Sequence, residues 1–286
     1  MEAILQVKGL TKQYPDFKLD HVSFSIPKGA IMGLIGENGA GKSTTINAVL
    51  DLIKKDDGMV TFWGRELATS KRLKEDIGVV FDGINFHETL TPAKVGKISK
   101  AAYKQWDEAL FRDYLRRFQL PAGKEIKTFS KGMKMKLSIA VALSHNPKLL
   151  ILDEATGGLD PVVRSDILDV FKDFVKDGER SVMMSSHITT DLEKIADYIT
   201  FIHKGKVLFC KTKNELRRDY GIIRCGAEFF NKIEKADILA YSKEADKWQV
   251  LTADKEKAKQ KYSETFVDDA AIDDILLLYV KGESAI

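Results

Sequence analysis

Hydrophobic and polar residues change their spacing several times along the chain, and each spacing predicts a different secondary structure. Apolar residues alternate with polar ones over Leu5 to Leu10 and over Lys18 to Ile26, which predicts two strands of a small sheet. Unbroken apolar runs predict strands buried on both faces, at residues 30–35, 77–81 and 149–152. The two kinds of strand predict a small sheet with one exposed face and a separate buried sheet.

Helical spacing of apolar residues follows several of these strands. It occurs over residues 44–53, after the first buried run, and over residues 162–176, after the third. We therefore expect an α/β fold. Residues 83–145 are mostly helical in pattern, with Pro92 in the first turn of one helix, which predicts a helical subdomain inserted into the α/β chain. Short alternating segments and a charged stretch follow, and they predict a small α+β appendage over residues 213–286.

Composition is that of an ordinary globular protein, with 44% hydrophobic and 30% charged residues in 286. No apolar run approaches the ~18 residues that span a bilayer, and the first residues show no signal peptide. Cys210 and Cys225 fit no metal or redox spacing, and we expect them to be buried reduced thiols of a cytosolic protein.

Charge is distributed unevenly, although the net charge of +3 does not by itself require a nucleic acid partner. Twelve Lys or Arg residues and only four acids lie between Lys94 and Lys136. A solvated helical face explains such a stretch, and a role near anionic phosphates or a membrane surface is the alternative.

One glycine-rich segment fits the P-loop pattern G-x-x-x-x-G-K-[ST], between a predicted buried strand and a predicted helix. Glycines let backbone N–H groups curl around phosphate oxygens, and the N-terminus of the following helix favours an anion. The lysine reaches the β- and γ-phosphates, and the first hydroxyl can bind Mg²⁺. The segment therefore predicts binding of a nucleoside triphosphate by Gly36, Glu37, Asn38, Gly39, Ala40, Gly41, Lys42, Ser43 and Thr44.

Further candidate residues lie at the ends of predicted strands and helices. Asp153 and Glu154 follow the buried run 149–152, where one acid can hold Mg²⁺ and the other can orient or deprotonate a water. His187 follows the strand predicted at 181–186, and Tyr14 lies in a turn from which its ring can stack on a purine. Ser130 and Gly132 stand where a helix begins, which predicts either a simple cap or a second phosphate-binding surface.

Taken together, these motifs resemble those of the nucleotide-binding subunits of ABC transporters, over roughly residues 2–212. Residues 36–44 match Walker A, and residues 149–154 match Walker B with its following glutamate. Ser130-Lys131-Gly132-Met133 matches the signature motif in an S-K-G-M form rather than L-S-G-G-Q. Residues 158–160 match the D-loop, His187 the switch histidine and Tyr14 the adenine-stacking aromatic. The resemblance implies an α/β P-loop ATPase domain over residues 1–212, with an antiparallel β subdomain and a helical subdomain.

The resemblance also implies the roles of the residues. Two subunits would pack head to tail, with each ATP between Walker A of one and Ser130, Lys131, Gly132 and Met133 of the other. Lys42 would hold the phosphates, Ser43 and Asp153 would bind Mg²⁺, Glu154 would polarise the attacking water, and His187 would contact the γ-phosphate. Asp160 would link the two sites. The family usually has Gln where this chain has Asp82, and we expect Asp82 to contact Mg²⁺ and to tune hydrolysis.

The S-K-G-M signature, the short insertion and the small appendage resemble bacterial exporters of antimicrobial or amphipathic peptides and drugs, of the bacitracin-resistance or phenol-soluble-modulin type. The expected partners are an integral membrane permease and a second copy or a paralogue of this chain. The expected location is the cytoplasmic face of the bacterial membrane, with no nucleic acid partner. Phe86, Leu90 and Val95 either form the permease groove or belong to the core of the insertion.

The main alternative is a soluble ABC ATPase that acts on ribosomes or nucleic acid, which the basic stretch favours. A single P-loop and the absence of sustained heptads argue against the ribosomal and DNA-repair members of that class. A P-loop kinase or GTPase has less support, because no guanine-specificity motif is visible and the signature motif would have no role.

Overall fold

The computed structural model of the chain describes residues 2–67, 71–83 and 86–283. They form two compact units, Met1–Leu208 and Phe209–Ile286, which divide near the predicted boundary after residue 212. Within the described ranges, no helix is both long enough and apolar enough to cross a membrane.

The first unit contains a three-stranded antiparallel sheet of order β2-β1-β4. Its strands are β1 (Ala3–Gln13), β2 (Lys18–Pro27) and β4 (Asp57–Phe62). Strand β1 begins two residues before and ends three residues after the predicted strand, and its register with β2 shifts between Val7 and Leu10, where the alternation is interrupted. Gly9 has a φ of +59° in this segment, and a Cβ on Gly58 of β4 would come within 2.5 Å of its carbonyl oxygen.

A six-stranded sheet of order β5-β6-β7-β3-β8-β9 forms the centre of the unit, and the four pairings from β5 to β8 are parallel. Every residue of the central strands β3, β6 and β7 is buried, and for β3 and β6 the unbroken apolar runs predict this burial. The strands are β3 (Ile31–Ile35), β5 (Ile77–Val80), β6 (Leu149–Asp153), β7 (Ser181–Ser186), β8 (Tyr198–His203) and β9 (Lys206–Thr212).

Helices connect these strands. Helix α1 was expected over residues 44–53 and is found at Lys42–Val49, because Asp51 adopts the left-handed conformation (φ +58°) and ends the helix. The other helices of the core are α2 (Lys71–Glu75), α6 (Pro161–Val175) and α7 (Thr189–Ile195). Strands and helices thus confirm the predicted α/β class.

The predicted insertion contains three α-helices, α3 (Pro92–Ala102), α4 (Glu108–Arg117) and α5 (Lys131–Ser144), with a 3-10 turn at Ile126–Thr128. Thr91 caps α3 and Asp107 caps α4 through their side chains. Val95 is 2% exposed and belongs to the core of the insertion, whereas Phe86 and Leu90 are half-buried.

The second unit has a four-stranded antiparallel sheet of order β11-β12-β10-β13. Its strands are β10 (Gly221–Cys225), β11 (Ala240–Glu244), β12 (Lys247–Thr252) and β13 (Val267–Asp269). Its helices are α8 (Lys213–Asp219), α9 (Ala227–Phe230), α10 (Lys255–Lys261) and α11 (Ile272–Lys281), with a 3-10 turn at Lys235–Asp237. The predicted burial of the thiols is wrong for Cys210, which is exposed on β9, and Cys225 is half-buried.

Candidate nucleotide site

A cleft of about 760 Å³ opens at the carboxyl ends of the central strands β3, β6 and β7, where parallel sheets bind ligands. Ten of the predicted site residues line it. They are Asn38, Gly39, Gly41, Lys42, Ser43, Thr44, Asp82, Lys131, Glu154 and His187, and they are joined by Asp16, Phe17, Gly157 and Gly158.

The P-loop forms one wall of this cleft, between β3 and α1. Gly39 and Gly41 have φ values of +80° and +111°, which side chains rarely adopt, and Gly41 is the N-cap of α1. A Cβ on Gly36 would collide with the carbonyl oxygen of Ile202, so the start of the loop packs directly on β8. Ala40 is buried and its carbonyl accepts a hydrogen bond from Gly205 N–H. These contacts fix the shape of the loop, and backbone N–H groups of such a glycine-rich loop can surround an anion.

Lys42 is the first residue of α1 and is only 5% exposed. Its ammonium donates to the carbonyl oxygens of Gly36 at 2.9 Å and Glu37 at 3.1 Å, and it lies 3.1 Å from Glu154 Oε1. A buried ammonium needs such partners, because an unpaired buried charge is costly. A phosphate entering the loop would compete with this carboxylate for the lysine.

The paired acids lie at the end of β6, as the sequence predicts. Asp153 is buried, and its Oδ1 accepts a hydrogen bond of 2.6 Å from the Ser185 hydroxyl of β7. The same hydroxyl accepts the backbone N–H of Glu154 at 3.0 Å. Glu154 has a φ of +51°, an uncommon conformation for glutamate that turns its side chain away from the strand and into the cleft. Ser185, which the sequence does not single out, therefore fixes both acids.

His187 follows β7 and completes this group. Its Nδ1 lies 2.7 Å from Glu154 Oε2, while the other oxygen of the same carboxylate contacts Lys42. Glu154 thus bridges the P-loop lysine and the histidine. Glu154 is 17% exposed and His187 is 48% exposed, so water reaches the group from the His187 side.

The candidate magnesium ligands are arranged around the same wall. Ser43 and Asp82 line the cleft, whereas Asp153 is buried, does not line it, and has one oxygen held by Ser185. The described part of the chain contains no cluster of three His, Cys, Asp or Glu side chains suited to a metal. A hydroxyl and a carboxylate nevertheless fit Mg²⁺, because this ion keeps several waters and takes other ligands from nucleotide phosphates.

The two aromatic residues of the turn before β2 differ in position. Tyr14 is 37% exposed, has Lys12 Nζ 5.6 Å from its ring centroid, and does not line the cleft. Phe17 does line it, and a Cβ on Gly41 would lie 2.8 Å from its ring. Phe17 is not among the site residues predicted from the sequence. Its position only three residues after Tyr14, in the same turn, was the available signal.

The signature and D-loop residues lie at the starts of two helices. Ser130 caps α5 by accepting Met133 N–H at 3.2 Å, and Asp160 caps α6 by accepting Val163 N–H at 3.0 Å. Gly132 is buried, and a Cβ there would lie 3.2 Å from Val163. Neither these capping residues nor Gly132 and Met133 line the cleft of their own chain. A single chain therefore brings the Walker residues together and leaves this second group apart.

Lys131 is the exception within the signature segment, because it lines the cleft of its own chain. Its ammonium lies 3.7 Å from Asp82 Oδ1, and a Cβ on Gly158 would come within 3.1 Å of the same nitrogen. The pair joins the start of α5 to the end of β5. Both side chains are about half exposed, so the contact is open to solvent.

Comparison with known proteins agrees with this geometry. The family model for the ABC transporter domain matches residues 19–157. The lantibiotic transport ATP-binding protein SrtF of Streptococcus pyogenes is 36% identical over 211 residues, which cover 73% of this chain and 90% of SrtF. The bacitracin transport ATP-binding protein BcrA of Bacillus licheniformis is 36% identical over 217 residues, covering 73% of this chain and 69% of BcrA.

A solved structure of the ATP-binding subunit of an ABC transporter is 30% identical to the chain. The two superpose with a TM-score of 0.68, over 75% of this chain and 92% of the other. The fold, the P-loop cleft and these relatives agree, and the chain belongs to the ATP-binding subunits of ABC transporters and is an ATPase.

Proposed function

We propose that this chain powers a membrane exporter, through ATP-driven closure of two nucleotide-binding subunits and hydrolysis at Glu154. The observation that carries the proposal is the contact of one carboxylate with both the P-loop lysine and His187. We assign this activity to the ATPase domain predicted over residues 1–212, with the appendage as a separate part. The appendage has no assigned chemistry.

Within one chain, the loop N–H groups and Lys42 bind the triphosphate. Bound phosphate takes over the ammonium of Lys42, and Glu154 is released from it. The freed carboxylate then orients and polarises a water for attack on the γ-phosphorus. His187 keeps Glu154 in place through the 2.7 Å contact and contacts the γ-phosphate from the open side of the cleft.

Ser43 and Asp153 are the residues that would hold Mg²⁺, with Asp82 at the edge of the same wall. When bound, the ion neutralises charge on the phosphate oxygens. The hydrogen bond from Ser185 restrains Asp153 through Oδ1, and Oδ2 is the oxygen that would hold the ion. Asp82 adds a charge that its pairing with Lys131 offsets.

The second group of residues serves the other subunit. Ser130, Lys131, Gly132 and Met133 begin α5, and the N-terminus of a helix is a favourable place for a phosphate. Because this group lies outside its own cleft apart from Lys131, it is suited to cover the nucleotide of a second copy or a paralogue. ATP then binds the closed pair more tightly than the open one, which is how a ligand drives such a change. Asp160 links the two sites.

The proposals for the cargo and for the membrane partner are based on the relatives. SrtF and BcrA are transport ATP-binding proteins for a lantibiotic and for bacitracin, both of which are peptides. By this likeness, we assign the chain to export of antimicrobial or amphipathic peptides or drugs, with a separate integral membrane permease. The subunit then works at the cytoplasmic face of a bacterial membrane.

The test uses Glu154→Gln, expressed in cells to trap the ATP-bound state, followed by identification of what copurifies from detergent-solubilised membranes. A polytopic membrane protein at near-equal stoichiometry, together with a dimer that depends on ATP, is the expected result. Recovery of ribosomes, nucleic acid or soluble protein alone would overturn the exporter assignment. Lys42→Ala, which cannot bind the phosphates, is the matched control and should lose the ATP-dependent dimer.

The alternative, an ABC ATPase that acts on ribosomes or nucleic acid, is favoured by one observation. Lys94, Lys97 and Lys100 are exposed on α3 and form no ion pair with any residue that the structure describes. A phosphate backbone would bind such a face, with an affinity that falls steeply with salt. Salt-dependent binding of RNA or DNA that is lost on replacing the three lysines by glutamine would support this function.

A further inference from the structure

The proposed function gives no role to two charged residues, Arg164 on α6 and Asp191 on α7. Asp191 is 1% exposed, and neither of its carboxylate oxygens accepts a hydrogen bond from a residue in the described ranges. Its ion-pair partner is Arg164, whose Nε lies 3.8 Å from Asp191 Oδ2. When a buried carboxylate has one cation beside it and no hydrogen bond, removing that cation leaves an uncompensated buried charge and is strongly destabilising.

Arg164 makes a second contact, which a simple ion pair does not require. Its Nη2 donates to the carbonyl oxygen of Leu159 at 3.1 Å. Leu159 is buried and stands between Gly158, which lines the cleft, and Asp160, which caps α6. The guanidinium therefore holds the peptide group at the centre of the D-loop.

The two contacts connect two segments that flank Glu154. Asp191 lies in the first turn of α7, which begins two residues after His187. Leu159 lies in the loop that follows Glu154 and carries Asp160. A planar guanidinium with several fixed donors is suited to hold both segments at once, whereas an ammonium can satisfy only one at this spacing.

We propose that Arg164 is a positioning residue for ATP hydrolysis, which fixes the D-loop, residues 158–160, relative to the helix that follows His187. The inference deepens the proposed function, because it rests on the role of Asp160 in linking two nucleotide sites. Arg164 does not touch the reacting atoms. It acts through the peptide of Leu159 and through Asp191.

A purely structural ion pair predicts a different result from a positioning residue. If Arg164 only neutralises Asp191, replacing both charges by apolar side chains of similar size should leave folding and activity intact, because such replacements of buried ion pairs are often neutral or stabilising. If Arg164 also positions the D-loop, the double variant should fold normally and still lose the donor to Leu159.

The experiment compares Arg164→Met/Asp191→Leu with Asp191→Asn and with the wild-type chain. The double variant should keep the wild-type Tm, lose about tenfold in kcat and change KM for ATP less than threefold, because the P-loop is untouched. In the double variant, the ATPase rate should also depend on ATP concentration without cooperativity. Asp191→Asn leaves the bond from Arg164 to Leu159 in place and weakens only the attachment to α7, so it should lower kcat by less than the double variant does. Arg117→Met/Asp173→Leu removes an exposed ion pair between α4 and α6 and is the matched control.

Wild-type kcat and cooperativity in a double variant with normal Tm would overturn the proposal. If the double variant fails to fold, Arg164→Lys tests the proposal instead, because it keeps a positive charge beside Asp191. A normal kcat in Arg164→Lys would also overturn the proposal. ATP-dependent dimerisation of Glu154→Gln is measured in parallel. If that dimer is absent, the link between two sites fails, whereas a loss of kcat in the double variant still assigns the positioning role within one chain.

Discussion

Glu154 Oε1 lies 3.1 Å from Lys42 Nζ, and Oε2 of the same carboxylate lies 2.7 Å from His187 Nδ1. Glu154, the residue proposed to activate water, is therefore paired with Lys42, the lysine proposed to bind the phosphates. This arrangement satisfies a buried ammonium while no phosphate is bound, and it makes phosphate binding and release of Glu154 the same event. Under the proposed role of Glu154, this contact keeps the carboxylate from acting as a base before ATP is in place.

Replacing Glu154 by glutamine should therefore have two opposite effects. Loss of the base should lower kcat by at least about 100-fold, the usual size of a general-base contribution. Loss of the competing charge should tighten ATP binding about threefold, which is about 0.6 kcal/mol. Phosphate release measures the first effect, and titration with a fluorescent ATP analogue measures the second.

A matched control for this variant is Glu179→Gln, which removes an exposed glutamate paired with Lys28 and should change neither constant. Unchanged or weaker ATP binding by Glu154→Gln would show that the carboxylate does not compete with phosphate. Unchanged kcat would show that another group activates the water.

Phe17 rather than Tyr14 should provide the main aromatic contact with the nucleotide base. Phe17 lines the cleft and packs on the P-loop at Gly41, whereas Tyr14 lies outside the lining and contacts Lys12. Stacking of a base on an aromatic ring contributes about 1–3 kcal/mol. Phe17→Ala should therefore weaken ATP binding about tenfold, and Tyr14→Ala less than threefold.

Equilibrium binding of ATP and of inorganic triphosphate checks this prediction, because only the nucleotide carries a base. Phe17→Ala should leave triphosphate binding unchanged. Phe266→Ala in the second unit, where the ring is 85% exposed, is the control for loss of a phenylalanine. If Tyr14→Ala weakens ATP binding more than Phe17→Ala does, Tyr14 rather than Phe17 provides the main aromatic contact with the base.

Much of the core could be predicted because its local signals agree with its environment. The runs at residues 30–35 and 149–152 are apolar without interruption, and they form strands in which every residue is buried. The P-loop was predictable from spacing alone, since the left-handed Gly39 and Gly41 need glycine. Ser130 and Asp160 form the caps that their residue types favour.

Other features depend on contacts between segments far apart in sequence. Nothing near Ser185 indicates that its hydroxyl holds Asp153, because the two residues meet only when β6 and β7 pair. The pairing of Arg164 with Asp191 requires α6 and α7 to pack together. The exposure of Cys210 follows from the position of β9 at the edge of its sheet. Composition and spacing do not contain this information.

Asp82 and Lys131 should change the magnesium requirement in opposite directions. Asp82→Gln removes a candidate ligand and should raise the Mg²⁺ concentration for half-maximal ATPase about tenfold. Lys131→Gln leaves the carboxylate unpaired and should lower that concentration. Because both side chains are about half exposed, either change should alter the free energy of unfolding by no more than about 0.5 kcal/mol.

Magnesium titrations of ATPase activity at fixed ATP test this pair, with thermal unfolding as the check on stability. If ATPase rate and magnesium dependence are unchanged in Asp82→Gln, Asp82 is not part of the site. If both variants shift in the same direction, the pair acts by some route other than the charge on Asp82.

The insertion should become less stable in mild acid because of His145, the residue that follows α5. His145 is 2% exposed, its ring stacks on Tyr103 of the insertion at 4.3 Å, and its Nε2 contacts the carbonyl oxygen of Ile77 in β5. Its Nδ1 has no hydrogen-bond partner in the described part of the chain. Burial lowers the pKa of His145 below its usual 6.5, although the contact with Ile77 and the nearby Glu75 and Asp76 favour the charged form.

The sign of the pH dependence follows from this lowered pKa. The unfolded chain takes up the proton near pH 6.5, while the folded chain takes it up only at lower pH. Stability from neutral His145 is therefore complete above pH 6.5 and declines by up to about 1.4 kcal/mol per pH unit below it, until the folded residue also titrates. Hydrogen exchange of peptides from α3 and α5 should show faster opening at pH 5.5 than at pH 7.5, after correction for intrinsic rates. His145→Gln, which keeps a donor for Ile77 and does not titrate, should remove the difference; an equal loss of protection in that variant would show that another group causes it.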